Sequence, residues 1–590
     1  MAPERRYRWL LGSLLAAGFA VRVAYVAAEP TAVPLFSRPV LDGAYYLDWA
    51  KAILSGTGGP GGAYYMAPLY PFLLAGFLKL FGESFALLYL LQHACVVASA
   101  GLLATAARRA AGDRAALACA ACVLAYHPSM FFASRPLGES VSLLFLALAF
   151  LPSDGSKARP AAFAGAALGA ASLGRPNLLL VALLWAGLDA SRRRFTRALA
   201  LLAGTAVVLL PVAARNLAVS GHLVPVSANS GVVFYLGNHP DSYGVLSTTP
   251  GFTGNLASQR DEAVALARSR SGRDLDPVEA DRWLGREALR MRLGDIPGTV
   301  ALFGRKIGLT LANAEQGLDD LPRMDANPLR FAAPLPFALL LGLAAAGLAA
   351  SRLAGTGGAR LWLVVAACAA APVLFYVSSR HRLPLSLLLA VPAGAGFSAL
   401  LEGWSRNGKG FLRAAVALAA GVAVSFAVPT AALQAAEETN ALCSRAAAFF
   451  AASNVAGAEQ AAREALEREP RSARARFILG AAVESAGRTA EAEMEYRKAL
   501  DADPAQAGAA ANLAAILVRK GRPGEAVPIL KRALETNPGN ELCWRNLVVA
   551  LATAGDGAGA RETAASAARA GVRLDPGLLR RIGAAGPAGR

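Results

Sequence analysis

The sequence predicts an all-α protein, with a polytopic membrane domain followed by a soluble domain of helical repeats. Hydrophobic residues make up 55% of the 590 residues and charged residues only 17%, with a mean hydropathy of +0.40, which lies outside the range of ordinary soluble domains. Apolar runs long enough to cross a bilayer recur over residues 1–430. The remaining residues show a period of 34 residues, which is typical of stacked helical units.

The apolar runs predict about eleven transmembrane helices. The first run has the basic flank of a signal peptide, but Arg22 interrupts its apolar region, so we predict a retained span. The predicted spans lie near 9–28, 84–106, 114–132, 137–152, 160–174, 176–190, 197–214, 332–350, 361–377, 383–401 and 411–430.

The chain carries a formal net charge of +18. Its basic residues fall in short clusters between apolar runs, which favours the positive-inside pattern of a membrane protein and argues against a nucleic-acid partner. Clusters such as those around Arg197 and Arg360 mark alternate loops as cytoplasmic. The loops 29–83 and 215–331 are then outside, and an odd number of spans places the C-terminal repeats outside as well. We predict a bacterial-type inner (plasma) membrane protein with extracytoplasmic repeats.

The 34-residue period of the C-terminal part is visible in prolines and small residues that recur at fixed spacings. Spacings of 34 residues relate Pro470, Pro504 and Pro538, then Gly487, Gly521 and Gly555, then Ala458, Ala492, Ala526 and Ala560. The pattern resembles the tetratricopeptide repeat over residues 445–576, after a linker at 431–444 and before a tail at 577–590. Stacked units leave a concave face, so this resemblance implies a protein or glycan partner bound by the repeats.

The first predicted outer loop contains a candidate catalytic carboxylate, Asp42. It lies in VLDGAYYLDWAKAILSG, where mixed aromatic and acidic residues predict an amphipathic helix on the membrane surface. Polar residues at the ends of membrane spans are costly to keep there and tend to be functional. The alternative is a solvated Asp with no part in the chemistry.

A resemblance to a known family begins in this loop. Asp42, Tyr46 and Ala50 at four-residue spacing, followed by Y-x-x-A-P-L-Y-P at 64–71, resemble the first outer loop of bacterial GT-C glycosyltransferases. Within these, the chain is similar to the family of dolichyl-phosphate-mannose protein mannosyltransferases and lipid A aminoarabinose transferases. The resemblance implies a polyprenyl-phosphate sugar as donor and Asp42 as the catalytic residue.

Further segments match the same family in order along residues 1–430. They are SRPLGE at 134–139, GRP at 174–176, GNHP at 237–240 and RHRLP at 380–384. The resemblance departs at Gly43, since many relatives carry Asp-Glu where this chain has Asp-Gly. It implies donor and phosphate binding by Arg135, Glu139, Arg175, Arg380 and Arg382, and acceptor or loop contacts by Tyr46, Tyr65, Asn238 and Asp241.

These residue types suit sugar transfer from a lipid phosphate. Guanidinium groups hold a phosphate by paired, charge-assisted hydrogen bonds, and a carboxylate beside the anomeric carbon accepts a proton as general base. For several residues a structural role stays open. The alternative for Glu139 is pairing with Arg135 or Arg175, which makes a buried charge tolerable. The alternative for Arg380 and Arg382 is snorkelling to the interface, and for Asn238 and Asp241 it is turn formation.

Nothing in the sequence requires a metal or a nucleotide cofactor. The five histidines are distant in sequence and form no i, i+4 pair, so we predict no metal site, although use of a divalent cation stays open. The absence of GxxxxGK[ST] argues against a nucleotide-binding domain. Two rival classes of protein remain. A transporter or flippase of lipid-linked saccharides would show internal repeats among its spans. A membrane-anchored repeat scaffold without catalysis would leave the ordered motifs unexplained.

Overall fold

The computed structural model is almost entirely helical in the residues that it describes. These are 2–32, 39, 42–58, 61–151, 157–240, 242–246, 249, 251–252, 256–315, 325–350, 355–406 and 409–583. Within them there is no strand, only two isolated bridges, which confirms the predicted all-α class. The chain divides into two units, one made of Met1–Leu246 with Leu289–Ala431 and the other of Ser247–Ala288 with Ala432–Arg590.

The helices before the repeats follow the predicted apolar runs and the predicted outer loops. In chain order they are α1 (Pro3–Ala32), α2 (Asp42–Leu54), α3 (Leu69–Phe81), α4 (Phe85–Leu124), α5 (His127–Ala133), α6 (Glu139–Leu148), α7 (Ala158–Gly174), α8 (Leu179–Ser191), α9 (Phe195–Ser220), α10 (Ser230–Asn238), α11 (Leu256–Ser271), α12 (Pro277–Gly294), α13 (Ile296–Leu311), α14 (Phe337–Ala349), α15 (Gly355–Leu374), α16 (Ser379–Arg406) and α17 (Lys409–Ala427).

Five helical segments among the described residues are long and apolar enough to cross a membrane, judged by length and composition. They are Pro3–Pro30, Phe85–Leu124, Phe195–Ser220, Ser379–Trp404 and Gly410–Ala427. Shorter apolar helices coincide with other predicted spans, such as α6, α8, α14 and α15. The structure therefore supports a multi-pass membrane domain, whereas the number of about eleven spans stays a prediction.

The element α4 covers the predicted span 84–106 and the first part of the predicted span 114–132. Its backbone leaves helical geometry at Ala111 and Gly112, and Gly112 has a φ of +83°. Glycine adopts this conformation at no steric cost, whereas other residues do so rarely. The break therefore falls between the predicted spans 84–106 and 114–132, and α4 consists of two helices joined at a kink.

Glycines bring α7 and α9 into close contact. A Cβ at Gly165 would lie 1.9 Å from the carbonyl oxygen of Leu201, and one at Gly204 would lie 2.0 Å from that of Ala162. No side chain fits at either position, so the two backbones touch, as small residues permit between membrane helices. This contact fixes the helix that leads into Arg175.

Two arginines from predicted cytoplasmic loops are buried. Asp189 Oδ2 accepts a hydrogen bond from Arg197 Nε at 3.1 Å and another from Arg360 Nη2 at 2.5 Å. The carboxylate pairs with both guanidinium groups, and its single negative charge offsets one of their two positive charges. Loop charge alone does not reveal this ion cluster, which joins α8, α9 and α15.

The second unit contains the repeat helices and part of the loop after α10. The repeat helices are α18 (Ala431–Ala451), α19 (Val455–Arg468), α20 (Ala473–Ser485), α21 (Thr489–Ala502), α22 (Ala507–Arg519), α23 (Pro523–Thr536), α24 (Glu541–Thr553), α25 (Gly557–Arg569) and α26 (Pro576–Arg581). From α18 to α25 they form successive helix pairs, and residues 431–444, the predicted linker, are helical as part of α18. Ser247–Ala288 belongs to the same unit and carries α11 and most of α12.

A left-handed residue separates the two helices of each pair. Gly487, Gly521 and Gly555 have φ of +81°, +72° and +86°. The equivalent residue of the first pair, 34 positions before Gly487, is Ser453, with φ of +60°. A side chain costs about 1–2 kcal/mol in this conformation, so the period of the glycines reflects the backbone geometry of the turn.

Replacing Ser453 by Gly is therefore expected to stabilise the repeats by about 1 kcal/mol, because it removes a Cβ from a left-handed residue. Pulse proteolysis of the purified full-length protein in increasing urea measures the change. The reverse substitution at the next turn, Gly487→Ser, serves as control and is expected to destabilise the repeats by a similar amount. A less stable Ser453→Gly variant would contradict this account.

Candidate active site

Two predicted carboxylates stand at helix starts. Asp42 is the first residue of α2 and Glu139 is the first residue of α6, where the positive end of the helix dipole favours a negative charge. Residue 43 is glycine where α2 meets the turn before α6, and a Cβ there would lie 2.8 Å from Pro136 Cγ. Any side chain at residue 43 would therefore require this turn to move.

Two predicted arginines complete the cluster. Arg175 lies between α7 and a short 3-10 helix, Pro176–Leu178, and Arg380 is the second residue of α16. Glu139 Oε1 accepts from Arg380 Nε at 2.5 Å and from Arg175 Nη2 at 2.9 Å. Arg380 Nη1 donates to Asp42 Oδ2, and Arg175 Nη2 also donates to the carbonyl oxygen of Arg380 at 2.9 Å. Four residues from separate segments thus form one hydrogen-bonded ion cluster.

Exposure distinguishes the two carboxylates of this cluster. The Asp42 side chain is 24% exposed, whereas the Glu139 side chain is 4% exposed. Glu139 Oε2 and Arg175 Nε are buried and make no hydrogen bond to the described residues. A substrate can therefore contact Asp42, while Glu139 is buried and pairs with both arginines.

Aromatic residues support the cluster from α2 and α3. Tyr46 packs edge-on against Tyr70, with 5.6 Å between ring centroids. The Tyr70 hydroxyl donates to Gln92 Oε1 at 2.7 Å, and Gln92 Nε2 donates to the carbonyl oxygen of Arg135 at 2.7 Å. These bonds hold the chain just before Glu139. Burial raises the pKa of the Tyr46 phenol above its ordinary value, so Tyr46 stays neutral and supports the site by packing.

Two predicted donor-binding arginines lie elsewhere. The Arg135 guanidinium stacks over the Phe131 ring and donates to Glu29 Oε2 at 3.4 Å. Arg382 is 1% exposed, forms an ion pair with Glu315 at 3.0 Å and donates to backbone carbonyl oxygens that follow α13. The structure therefore brings together Asp42, Glu139, Arg175 and Arg380, and it places Arg135 and Arg382 in other contacts.

Arg382→Ala is expected to lower the free energy of unfolding by about 3–5 kcal/mol, because it leaves the partner carboxylate and several buried carbonyl oxygens without their donor. Thermal unfolding in detergent measures this loss. Arg380→Ala is expected instead to raise the KM for the lipid-linked donor that the sequence resemblance implies, and Arg380→Lys to restore only part of the donor binding, since Lys lacks the planar fork. The prediction is wrong if Arg382→Ala raises the donor KM without lowering the melting temperature.

Another predicted contact residue, Asn238, lies in other contacts. Tyr65 is buried in the segment before α3. Asn238 ends α10, where its amide donates to the carbonyl oxygen of Leu374 and its oxygen accepts from Lys306 Nζ, both at 2.8 Å. Burial lowers the pKa of Lys306 to about 7. Asn238 thus connects α10, α13 and α15, and Asp241 lies outside the described residues.

A second polar cluster, beside the C-terminal end of α1, has no counterpart among the predicted site residues. The Tyr25 hydroxyl donates to Asp325 Oδ2 at 2.5 Å, and His127 Nε2 lies 2.8 Å from the same oxygen. Burial alone would raise the pKa of Asp325, but the hydrogen bonds with His127 and Tyr25 hold it below its ordinary value. No sequence pattern indicates this cluster, because Tyr25 and Asp325 are 300 residues apart.

Comparison with protein families supports the same division of the chain. A family model described as dolichyl-phosphate-mannose-protein mannosyltransferase matches residues 65–216, and two tetratricopeptide repeat models match residues 443–507 and 517–573. The chain carries a domain of this mannosyltransferase family, followed by tetratricopeptide repeats. The resemblance inferred from the sequence motifs is confirmed, and it supports a membrane glycosyltransferase. The matched part of the mannosyltransferase-family domain includes Glu139 and Arg175, whereas Asp42 and Arg380 lie outside it.

Solved structures resemble parts of the chain at low similarity. The Archaeoglobus fulgidus oligosaccharyltransferase, tethered with an acceptor peptide, is 16% identical and aligns over 74% of this chain and 57% of that chain, with a TM-score of 0.36. A Thermobaculum terrenum O-GlcNAc transferase mutant is 28% identical over 23% of this chain and 26% of that chain, with a TM-score of 0.22. A tetratricopeptide-repeat protein from Thermus thermophilus is 18% identical over 32% of this chain and 97% of that chain, with a TM-score of 0.22. No curated protein sequence matches significantly.

Proposed function

We propose that the protein transfers a sugar from a polyprenyl-phosphate-linked donor to a protein, lipid or glycan acceptor on the extracytoplasmic face of the membrane. The observation that carries this proposal is the ion cluster of Asp42, Arg380, Glu139 and Arg175. It combines an accessible carboxylate with two guanidinium groups, which are the groups that transfer from a lipid phosphate requires.

In the proposed reaction, Asp42 acts as general base. The acceptor hydroxyl or amine gives its proton to the Asp42 carboxylate as its oxygen or nitrogen forms a bond to the anomeric carbon. The bond from that carbon to the phosphate oxygen breaks, and the polyprenyl phosphate leaves with the electron pair. Arg380, which Glu139 holds through its Nε, uses its Nη atoms to bind the leaving phosphate.

Arg380 links the binding of the donor phosphate to the availability of the Asp42 carboxylate as a base. Its Nη1 donates to Asp42 Oδ2. A donor phosphate that takes over this guanidinium edge releases the carboxylate of Asp42 for the acceptor proton, while the Nε bond to Glu139 keeps Arg380 in place. The charge of the cluster thus favours an anionic donor before the acceptor proton moves.

The test is glycan and lipid mass spectrometry of cells with and without the gene, which names the transferred sugar and its acceptor together. Purified protein with polyprenyl-phosphate sugars should then reproduce the transfer. Assays with and without a chelator determine whether a divalent cation takes part. Movement of an intact lipid-linked saccharide across the membrane, with no sugar transferred, would overturn the proposal in favour of a flippase.

The proposed orientation follows from the loop charges and the parity of about eleven spans. A reporter active only outside the cytoplasm is expected to be active when fused after residue 590 and inactive when fused after Arg194. The repeats are then in the compartment of sugar transfer, where their concave face binds a protein or glycan partner. Cytoplasmic activity of the C-terminal fusion contradicts this orientation.

A further inference from the structure

The repeat unit includes a segment that is distant from it in sequence. Ser247–Ala288, from the predicted outer loop 215–331, groups with Ala432–Arg590. Its helix α11 buries a nearly continuous face that includes Ala263 and Leu266. A buried apolar face on an otherwise polar loop helix indicates that α11 packs against other parts of the unit.

The contact lies at a turn between repeats. A Cβ at Gly539, between α23 and α24, would lie 2.8 Å from Ala265 Cβ and 3.9 Å from Glu262 Cα. At the next turn, after α25, a Cβ at Gly571 would lie 3.2 Å from Arg268 Nη1. Helix α11 therefore contacts the turns that follow two successive helix pairs.

The contact with α11 explains why residue 539 is glycine. Gly539 does not have a positive φ, so its own backbone conformation does not require glycine. The equivalent turns of the array, 34 residues apart, carry Arg471, Ala505 and Arg573, so this position accepts a side chain elsewhere. Glycine occurs at the turn where a Cβ would collide with α11.

The turn at 537–540 is held rigidly by its own repeat. Asn537 Nδ2 donates to the carbonyl oxygen of Ala505 at 2.9 Å, and Trp544 Nε1 donates to that of Pro538 at 2.7 Å. The Asn540 side chain accepts from the backbone N–H of Cys543 at 2.9 Å. A preformed surface loses little conformational entropy when a helix docks on it.

We propose that the turn at 537–540 is a docking surface whose partner is α11 of the same chain. The outer loop then holds the repeat array by a second attachment, in addition to the covalent link after α17. Since the two surfaces touch, the loop and the repeats are in the same compartment, whatever the number of spans. This inference does not depend on the proposed sugar transfer, and its tests require no glycosyl donor.

An engineered disulfide tests the contact in the full-length protein in membranes. The position of a Cβ at Gly539, 3.9 Å from Glu262 Cα, is compatible with the Cα separation of about 4.4–6.8 Å that a disulfide requires. The pair Glu262→Cys with Gly539→Cys is made together with Ala265→Gly, which removes the Cβ that the new side chain at 539 would meet at 2.8 Å. This variant is expected to crosslink on oxidation, and mass spectrometry identifies the linked peptides. The control pair Glu262→Cys with Ala505→Cys, at the equivalent turn one repeat earlier, is expected to remain reduced. Absence of the first disulfide in a folded protein, or equal crosslinking of both pairs, overturns the proposal.

A second variant removes the contact without new cysteines. Gly539→Leu is expected to displace α11 and to increase trypsin cleavage at Arg268 and Arg270 several-fold, because the larger side chain collides with Ala265. Gly524→Leu is the matched control, since Gly524 is exposed and a Cβ there meets no atom within 4 Å. Unchanged cleavage of α11 in Gly539→Leu, in a chain whose repeats remain resistant to trypsin, contradicts the docking.

Discussion

Asp42→Asn is expected to lower sugar transfer about a hundred- to ten-thousand-fold, which is the usual contribution of a general base. The amide has nearly the same size as the carboxylate and can still accept a hydrogen bond from Arg380, so the cluster keeps its shape. It cannot accept the proton of the acceptor. Turnover of a polyprenyl-phosphate sugar by purified protein measures the effect, and the melting temperature in detergent shows that the fold is retained.

Asp48→Asn is the matched control for this prediction. Asp48 lies on the same helix, α2, but is exposed to solvent, so its neutralisation is expected to leave turnover within about twofold, as for a surface residue without a special contact. Near-normal turnover of Asp42→Asn would remove Asp42 from the proposed chemistry. Equal losses for both variants would assign the effect to α2 as a whole.

The sequence allowed the four residues of the ion cluster to be named before their contacts were known. Each lies beside an apolar run, where a charged residue is costly and therefore informative. Their mutual contacts could not be derived, since Arg380 meets Asp42 across 338 residues. The family resemblance indicated that these residues lie together, because it assigned their separate motifs to one site.

The two arginines of the RHRLP motif make different contacts in the structure. Arg380 and Arg382 are two residues apart at the start of α16, and side chains at this spacing do not share a helix face. Only Arg380 joins Asp42 and Glu139, while Arg382 pairs with Glu315. Helical geometry could have separated the two arginines from sequence, once the helix start had been placed at this motif.

The fold was predictable where it depends on local pattern and not where it depends on distant contacts. Apolar runs predicted the membrane helices, and the 34-residue period predicted the paired helices of the repeats. The grouping of 247–288 with the repeats was not predictable, because contacts between residues far apart in sequence, such as Ala265 and Gly539, are marked by no periodicity.

Glu139→Gln is expected to lower the free energy of unfolding by about 3–5 kcal/mol, since breaking a buried ion pair leaves its partners uncompensated. Glu139 Oε1 accepts from both Arg175 and Arg380, and the side chain is 4% exposed. When Glu139 is neutral, Asp42 is the one remaining carboxylate of the cluster, and it faces the positive charges of two arginines. Thermal and denaturant unfolding in detergent measure the loss, and sugar transfer is expected to fall with it because Arg380 is no longer held.

The double variant Glu139→Gln with Arg175→Gln separates charge compensation from lost packing. It removes one positive charge together with the negative one, so we expect it to be more stable than Glu139→Gln alone, as removal of whole buried pairs often is. Glu83→Gln is the exposed control: Glu83 pairs with Lys51 at 2.7 Å with both side chains about half exposed, and its loss is expected to cost less than about 1 kcal/mol. If Glu139→Gln costs no more than Glu83→Gln, or if the double variant is less stable than Glu139→Gln, Glu139 does not compensate the charge of the two arginines.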